Sequence, residues 1–266
     1  MASMNCHYYS ATLKNNISLN VVIPSPQGNE QIVDKSVQAQ YGYESGLPVV
    51  YLLHGAYGDY SSWMRYSNVE RYAQDRRCAL VMASAGNNFY QDMYRGLAYR
   101  KFFTEELPTF ITSVFPVSKK REDTYIAGFS MGGYGAWYLA LSTPDLYSKA
   151  ASMSGALDIV ASYEQSASGI IDNPFPWNDI FEHPEALAGG DRDLFELYRR
   201  CQENGTAPSL YQACGTEDFL YKMNQEANSR MKNMGADLIY EEGPGGHNWD
   251  FWDKYIQKIL DWMLEK

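Results

Sequence analysis

The run Gly128-Phe129-Ser130-Met131-Gly132 sets a serine between two glycines, with the short apolar strand Tyr125–Ala127 before it and a helix-forming stretch after it. Gly-x-Ser-x-Gly between a strand and a helix is the context of a nucleophile elbow. A turn that tight forces the serine into a strained backbone conformation, and strand and helix pass each other only where the flanking positions lack a Cβ. The Ser130 hydroxyl is then exposed at the carboxyl end of a sheet, with a helix N-terminus directed at it. The chemistry this predicts is attack by a serine hydroxyl on a carbonyl.

A serine hydroxyl is a poor nucleophile until a base takes its proton, and the base works best when a carboxylate fixes its tautomer. The histidines are His7, His54, His183 and His247. His7 precedes the first expected strand, and His183 lies in an irregular stretch. His54 ends a strand but comes before the serine. His247 follows the last expected strand in Gly243-Pro244-Gly245-Gly246-His247, where the base of a Ser…Asp…His order belongs, and is the expected base. The strand Leu210–Ala213 runs into Cys214-Gly215-Thr216-Glu217-Asp218, which offers Asp218 or Glu217 as the carboxylate. Either could instead cap the following helix. An oxyanion hole needs one N–H from the residue after the nucleophile and one from a loop after an earlier strand. Met131 supplies the first by position, and within His54-Gly55-Ala56-Tyr57-Gly58 the second is expected from Ala56, with Tyr57 the alternative. His54 is read as hydrogen-bonding the backbone of that loop.

The elements that must carry these groups alternate. Tyr8–Leu13 and Ile17–Ile23 read as strands joined by a hairpin turn at Lys14-Asn15-Asn16. The polar stretch up to Gly46 reads as a surface loop. Leu47–Leu53 and Ala79–Ala83 are continuous apolar runs, as expected of strands buried on both faces, with a helix from Trp63 to Arg76 between them. Phe102–Phe115 has helical spacing, with Pro108 bending it or marking a late start. After the elbow come a helix over 133–142 and a strand over Lys149–Met153. Between about 155 and 208 the alternation breaks into Gly169, Asn173-Pro174-Phe175-Pro176-Trp177, Pro184 and Gly189-Gly190, read as an insertion with short helices and not a separate domain. The alternation then resumes with strand Leu210–Ala213, helix Lys222–Met234, strand Asp237–Glu241 and a closing helix Trp249–Leu264. That helix places Trp252, Ile256, Ile259, Leu260 and Met263 on one face, with Asp250 and Asp253 on its solvated side. Alternating strands and helices predict one α/β domain over 1–266, built on a mostly parallel sheet with helices on both faces.

Composition narrows the partners. A net charge of −10 disfavours nucleic acid and anionic membrane surfaces. No stretch reaches membrane-spanning length. The four cysteines, Cys6, Cys78, Cys201 and Cys214, have no CxxC or zinc-ligand spacing and read as reduced thiols. The N-terminus lacks a basic start and an apolar h-region, so a cytoplasmic location is expected unless a leader has been trimmed away.

Four motifs, Tyr51-Leu52-Leu53-His54-Gly55, Gly128-Phe129-Ser130-Met131-Gly132-Gly133, Cys214-Gly215-Thr216-Glu217-Asp218 and Gly246-His247, resemble the esterase D-like α/β-hydrolases. These include S-formylglutathione hydrolases, the feruloyl and acetylxylan esterases of carbohydrate esterase family 1, and bacterial tributyrin esterases. The stretch Gly58-Asp59-Tyr60-Ser61-Ser62-Trp63 is most similar to the tributyrin esterases of Gram-positive bacteria. The resemblance implies the α/β-hydrolase fold, Ser130 as nucleophile, His247 as base, Asp218 in preference to Glu217 as its acid, and no metal or organic cofactor. It implies a short-chain acyl or hydroxycinnamoyl ester as substrate, small or saccharide-linked, with Trp177 and Tyr57 as candidate pocket residues and a homo-oligomer left open. S-formylglutathione hydrolysis and acyl transfer to an alcohol are alternatives on the same triad. A non-catalytic carbohydrate-binding relative is the alternative of another class.

Overall fold

Five consecutive apolar residues, Val49–Leu53, have no polar face to turn to water, and all five are buried. They form the strand β3 of an eight-stranded sheet in a computed structural model that describes residues 1–30, 32–169 and 175–265. The other strands are β1 (Ala2–Ser10), β2 (Asn15–Ile23), β4 (Ala79–Ala83), β5 (Thr124–Phe129), β6 (Lys149–Met153), β7 (Ser209–Gly215) and β8 (Leu238–Gly243). Their order is β1-β2-β4-β3-β5-β6-β7-β8. β1 and β2 pair antiparallel, as do β2 and β4, and every later pairing is parallel. The chain steps from β3 outward to β4, then returns to the other side of β3 as β5. That reversal is a topological switch point, and the crevice beyond the carboxyl ends of strands there is where ligands sit in open α/β sheets. Ser130 follows β5 and the His54 loop follows β3.

Two cores result from the strand period of two. Val49, Tyr51, Leu53, Val81 and Ile126 face the helix Met131–Ser142, which is buried on nearly every side. Val50, Leu52, Leu80, Ala127 and Phe129 face the helix Val69–Arg76 and the closing helix Trp249–Leu264. The closing helix buries Phe251, Trp252, Tyr255, Ile256, Ile259, Leu260 and Met263, each worth about 2 kcal/mol relative to exposure. Asp253 is not on a merely solvated side: its carboxylate accepts from the Asn68 N–H and the Tyr72 hydroxyl, both at 2.8 Å, and ties this helix to Val69–Arg76.

Several expectations shift. β1 begins earlier and ends earlier than the apolar pattern suggested, because an edge strand paired on one side needs no continuous apolar face; Lys14 takes the left-handed turn conformation. The polar stretch before Gly46 contains a helix, Lys35–Tyr41, capped by the Asp34 carboxylate and by Gly42 at a φ of 73°. The Trp63–Arg76 helix is two helices, Ser62–Tyr66 and Val69–Arg76, separated at Ser67-Asn68. Pro108 marks a late start of the α-helix within a longer helical run. With no N–H to donate, it follows a π-helical segment, Phe102–Glu106, and sits in the first turn of Leu107–Val114.

After β6, the insertion holds the helices Ile159–Ala167, Trp177–Ile180 and Leu194–Glu203. Asn173 and Pro174, part of its breaker run, lie outside the described residues. Its last helix shares the core of Met131–Ser142: the Cys201 thiol lies 3.1 Å from the Leu141 carbonyl, and the Tyr134 hydroxyl donates to the Arg192 carbonyl at 2.8 Å. All four cysteines are unpaired, three of them buried. Among the described residues no helix is long and apolar enough to cross a membrane.

Candidate active site

Ser130 links β5 to its helix with φ 57° and ψ −124°, a conformation that costs a non-glycine residue about 1–3 kcal/mol. The neighbours supply what holds it. The Ser130 N–H donates to the Met153 carbonyl at 2.9 Å, and its own carbonyl accepts from the Gly133 N–H at 2.9 Å. A Cβ at position 128 would lie 2.2 Å from the Gly132 carbonyl oxygen, and one at 132 would lie 2.5 Å from that of His54. Both glycines are therefore dictated by backbone crossing backbone.

The loops after β7 and β8 bring the other two groups in. They are laid so closely together that a Cβ at Gly215 would meet the Gly245 oxygen at 2.0 Å. His247 reaches Ser130 from this loop pair, with Nε2 at 3.0 Å from Oγ. Its Nδ1 is 2.9 and 3.1 Å from the two oxygens of Asp218. A carboxylate only accepts, so Nδ1 carries the proton and Nε2 is left to accept from the Ser130 hydroxyl. The Asp218 side chain has no solvent exposure. Burial pushes its pKa up, but the imidazole, the Leu220 N–H at 2.8 Å and the nearby Ser154 hydroxyl outweigh that and hold it below the usual carboxylate range. Glu217 does something else. Its carboxylate accepts from the Gly245 N–H and, at 2.8 Å, from the Thr216 hydroxyl, stapling the His247 loop to the β7 loop from the exposed side. His7 and His183 are not brought to the site: His7 lies on β1 beside Ser18, and His183 pairs with Glu185 on the surface.

Behind the histidine stands an assembly that the sequence did not announce. The Trp252 indole is 5.1 Å from the His247 ring at 88° and donates to the Ser154 hydroxyl at 3.1 Å. Ser154 is fully buried at a φ of 49°. A serine after β6 and a tryptophan inside a helix carry no local signal for this; they are partners only through the fold.

In the loop after β3 the Ala56 and Tyr57 amides differ in what they meet. The Tyr57 N–H is taken by the Asn87 side-chain oxygen at 2.7 Å, with Tyr57 at a φ of 62°. Among the described residues the Ala56 and Met131 N–H groups have no such acceptor, and both residues line the cleft beside Ser130. Asn87 is a functional candidate that sequence reasoning missed, because nothing local in Gly86-Asn87-Asn88 says which loop it reaches. His54 is buried and neutral: Nδ1 lies 2.7 Å from the Gly55 carbonyl, which must accept, so Nε2 accepts from the Ala85 N–H at 2.9 Å. Burial lowers its pKa, more than the Gly55 carbonyl and Asp59 raise it. It clips the β3 and β4 loops together.

Ser130 opens into a cleft of about 1230 Å³. One arm is walled by Phe89, Phe175 and Trp177. Trp177 is 7% exposed and stacks on Phe89 (5.3 Å) and Phe181 (5.7 Å), so it both packs the insertion onto the core and lines the cleft. Tyr57 is 74% exposed at the mouth. Among the described residues no three His, Cys, Asp or Glu side chains converge as a metal site.

A serine, a histidine and a buried carboxylate in hydrogen-bonded series, with free amides beside the serine, have the arrangement of an acyl-transfer site. A family model described as "Putative esterase" matches residues 10–263. The chain belongs to this esterase family. An acetyl esterase of Caldicellulosiruptor saccharolyticus is 34% identical over 267 aligned residues, covering 99% of this chain and 98% of that one. Among solved structures, the substrate-bound fluorophosphonate-binding serine hydrolase F of Staphylococcus aureus superimposes with a TM-score of 0.86 at 29% identity, covering 100% and 99% of the two chains. An S-formylglutathione hydrolase of the same organism does so at 0.82 and 29%, covering 99% of each. The esterase D-like resemblance and the α/β-hydrolase fold expected from the sequence are thus borne out, and the esterase is a carboxylic ester hydrolase of the serine type.

Proposed function

We propose that Ser130 is the nucleophile, His247 the general base and Asp218 the acid that orients it, and that the esterase cleaves short-chain acyl esters, acetyl to butyryl, or hydroxycinnamoyl esters. The observation that carries the assignment is the unbroken series from Ser130 Oγ to His247 Nε2 at 3.0 Å and from His247 Nδ1 to Asp218 at 2.9 Å. Ser130 Oγ attacks the ester carbonyl as its proton passes to His247. The Ala56 and Met131 amides hold the oxyanion, donors fixed before the charge develops, so that no reorganisation is needed at the moment of reaction. His247 passes the proton to the departing alcohol, then takes one from water as that water attacks the acyl-enzyme. Asp218 keeps Nε2 unprotonated at the start of each half and stabilises the imidazolium formed in between.

The short-acyl reading draws support from the acetyl esterase relative. The hydroxycinnamoyl reading draws on the aromatic arm, in which Phe89 and Trp177 present nearly parallel rings, 29° apart. Glutathione thioesters are less favoured, because the described lining offers their two carboxylates one permanently cationic side chain, Arg65, close to Asp59. Four unpaired cysteines fit a reducing, intracellular compartment. A panel of p-nitrophenyl acyl esters with methyl ferulate and S-formylglutathione, run on the wild type and Ser130→Ala, tests the proposal. Hydrolysis of acetyl to butyryl esters or of methyl ferulate, lost by several orders of magnitude in the variant, is expected. Near wild-type hydrolysis by Ser130→Ala, or activity confined to S-formylglutathione, would overturn the site or the substrate respectively.

A further inference from the structure

Phe219 is the residue after Asp218, and it is among the most exposed large apolar side chains in the molecule at 75%. A side chain so placed gains little from folding; most of its apolar surface is left to water. Its ring centroid lies 4.5 Å from that of His247, at an interplanar angle of 46°, and it lines the same cleft as Ser130. Two more of the exposed aromatics, Tyr57 at 74% and Tyr66 at 53%, stand at the mouth of that cleft. Exposed apolar rings gathered at one cleft mouth mark a contact surface.

The chemistry says which half of an ester meets Phe219. In acylation the bond from Ser130 Oγ to the carbonyl carbon forms, the bond from that carbon to the alcohol oxygen breaks, and the proton goes from Ser130 through His247 to that oxygen. The departing oxygen must therefore face His247 Nε2, while the carbonyl oxygen faces the Ala56 and Met131 amides. Of the two rings against His247, Trp252 is buried behind it and Phe219 is open to the cleft, so whatever the alcohol oxygen carries runs past Phe219. The wall of Phe89 and Trp177 in the same cleft is left for the acyl group. A cleft of about 1230 Å³, against the 300–1,000 Å³ usual for a small-molecule site, leaves room for both.

We propose that Phe219 is a platform for the alcohol half of the ester and selects alcohols that carry a six-membered ring, whose flat apolar face covers it, over open-chain alcohols. The proposal rests on the assignment of Ser130 and His247 above.

The test holds the acyl group constant. Cyclohexyl acetate and isopropyl acetate release secondary alcohols of similar basicity and differ in the ring; a monoacetylated methyl β-xylopyranoside supplies the same ring shape with hydroxyls. The wild type should prefer both ring esters. Phe219→Ala should lower the kcat/KM ratio of ring to open-chain ester about tenfold, the loss expected of one well-packed aromatic contact, and Phe219→Trp should retain it. Hydrolysis of the acetyl-enzyme, formed with p-nitrophenyl acetate and followed after the burst, involves no alcohol and should change less than twofold in Phe219→Ala. An unchanged ratio overturns the proposal. So does an equal loss on ring and open-chain esters with slowed deacylation, which would make Phe219 a support for His247. Failure of a fluorophosphonate to label wild-type Ser130 would instead strike the underlying assignment.

Discussion

Replacing Asp218 by Asn removes one charge and barely changes shape, yet the hydrogen bonds around it dictate a large effect. One carboxylate oxygen accepts from the Leu220 N–H at 2.8 Å and lies 3.1 Å from His247 Nδ1; the other lies 2.9 Å from Nδ1. An asparagine must keep its carbonyl oxygen on the Leu220 N–H, which turns its NH₂ toward His247. Nδ1 must then accept, the proton moves to Nε2, and Nε2 no longer accepts from Ser130. A triad locked in the wrong tautomer loses about 10⁴-fold in kcat, or about 5.4 kcal/mol of barrier. Steady-state hydrolysis of p-nitrophenyl acetate at neutral pH measures it, with circular dichroism to establish that the variant is folded. Glu217→Gln is the counterpart, since a glutamine still accepts from the Gly245 N–H, and should cost no more than about tenfold. Asp218→Asn within tenfold of wild type, or Glu217→Gln equal to it in damage, would show that Asp218 does not set the His247 tautomer.

Two further outcomes follow from backbone geometry and burial. Gly128→Ala puts a Cβ 2.2 Å from the Gly132 carbonyl; relieving that overlap should cost at least about 1–3 kcal/mol and, by shifting Ser130 by about 1 Å, about 10²-fold in activity, read from thermal melts and the rate of fluorophosphonate labelling. The buried His54, with its pKa lowered by burial, stays neutral in the native state and gains a proton on unfolding. Its contribution is therefore present above about pH 6.5 and lost as pH falls below it, by up to about 1.4 kcal/mol per pH unit. Urea unfolding from pH 7.5 to 5 should show that slope, and His54→Gln should flatten it.

Much of this architecture is legible because strand burial writes itself into composition. Ala79–Ala83 has the bounds read from its apolar run, Lys149–Met153 those read from its place in the alternation, and Trp249–Leu264 those read from its helical period. The elbow glycines are legible too, since a crossing of strand and helix at that distance admits no Cβ. The helix Lys35–Tyr41 escaped notice for want of an apolar stripe, although Asp34 and Gly42 were there as caps. At the site, residue order alone could not separate Glu217 from Asp218. Their difference lies in which way adjacent side chains point from one loop, inward to His247 or outward to the Gly245 N–H. Asn87, Ser154, Trp252 and Phe219 were hidden for a related reason. Each meets its partner across the sheet's carboxyl edge, from a loop or helix whose local sequence holds no trace of that neighbour.

In the proposed reaction Ser130 carries the acyl group between the two halves. Rapid acid quench of the enzyme turning over p-nitrophenyl acetate, followed by intact-mass and peptide analysis, would trap that intermediate. A single added acetyl group on the peptide containing Ser130, absent in Ser130→Ala, is the expected result. Turnover with no acylated Ser130 at any quench time, or an acetyl group that persists on another residue in Ser130→Ala while hydrolysis continues, would contradict it.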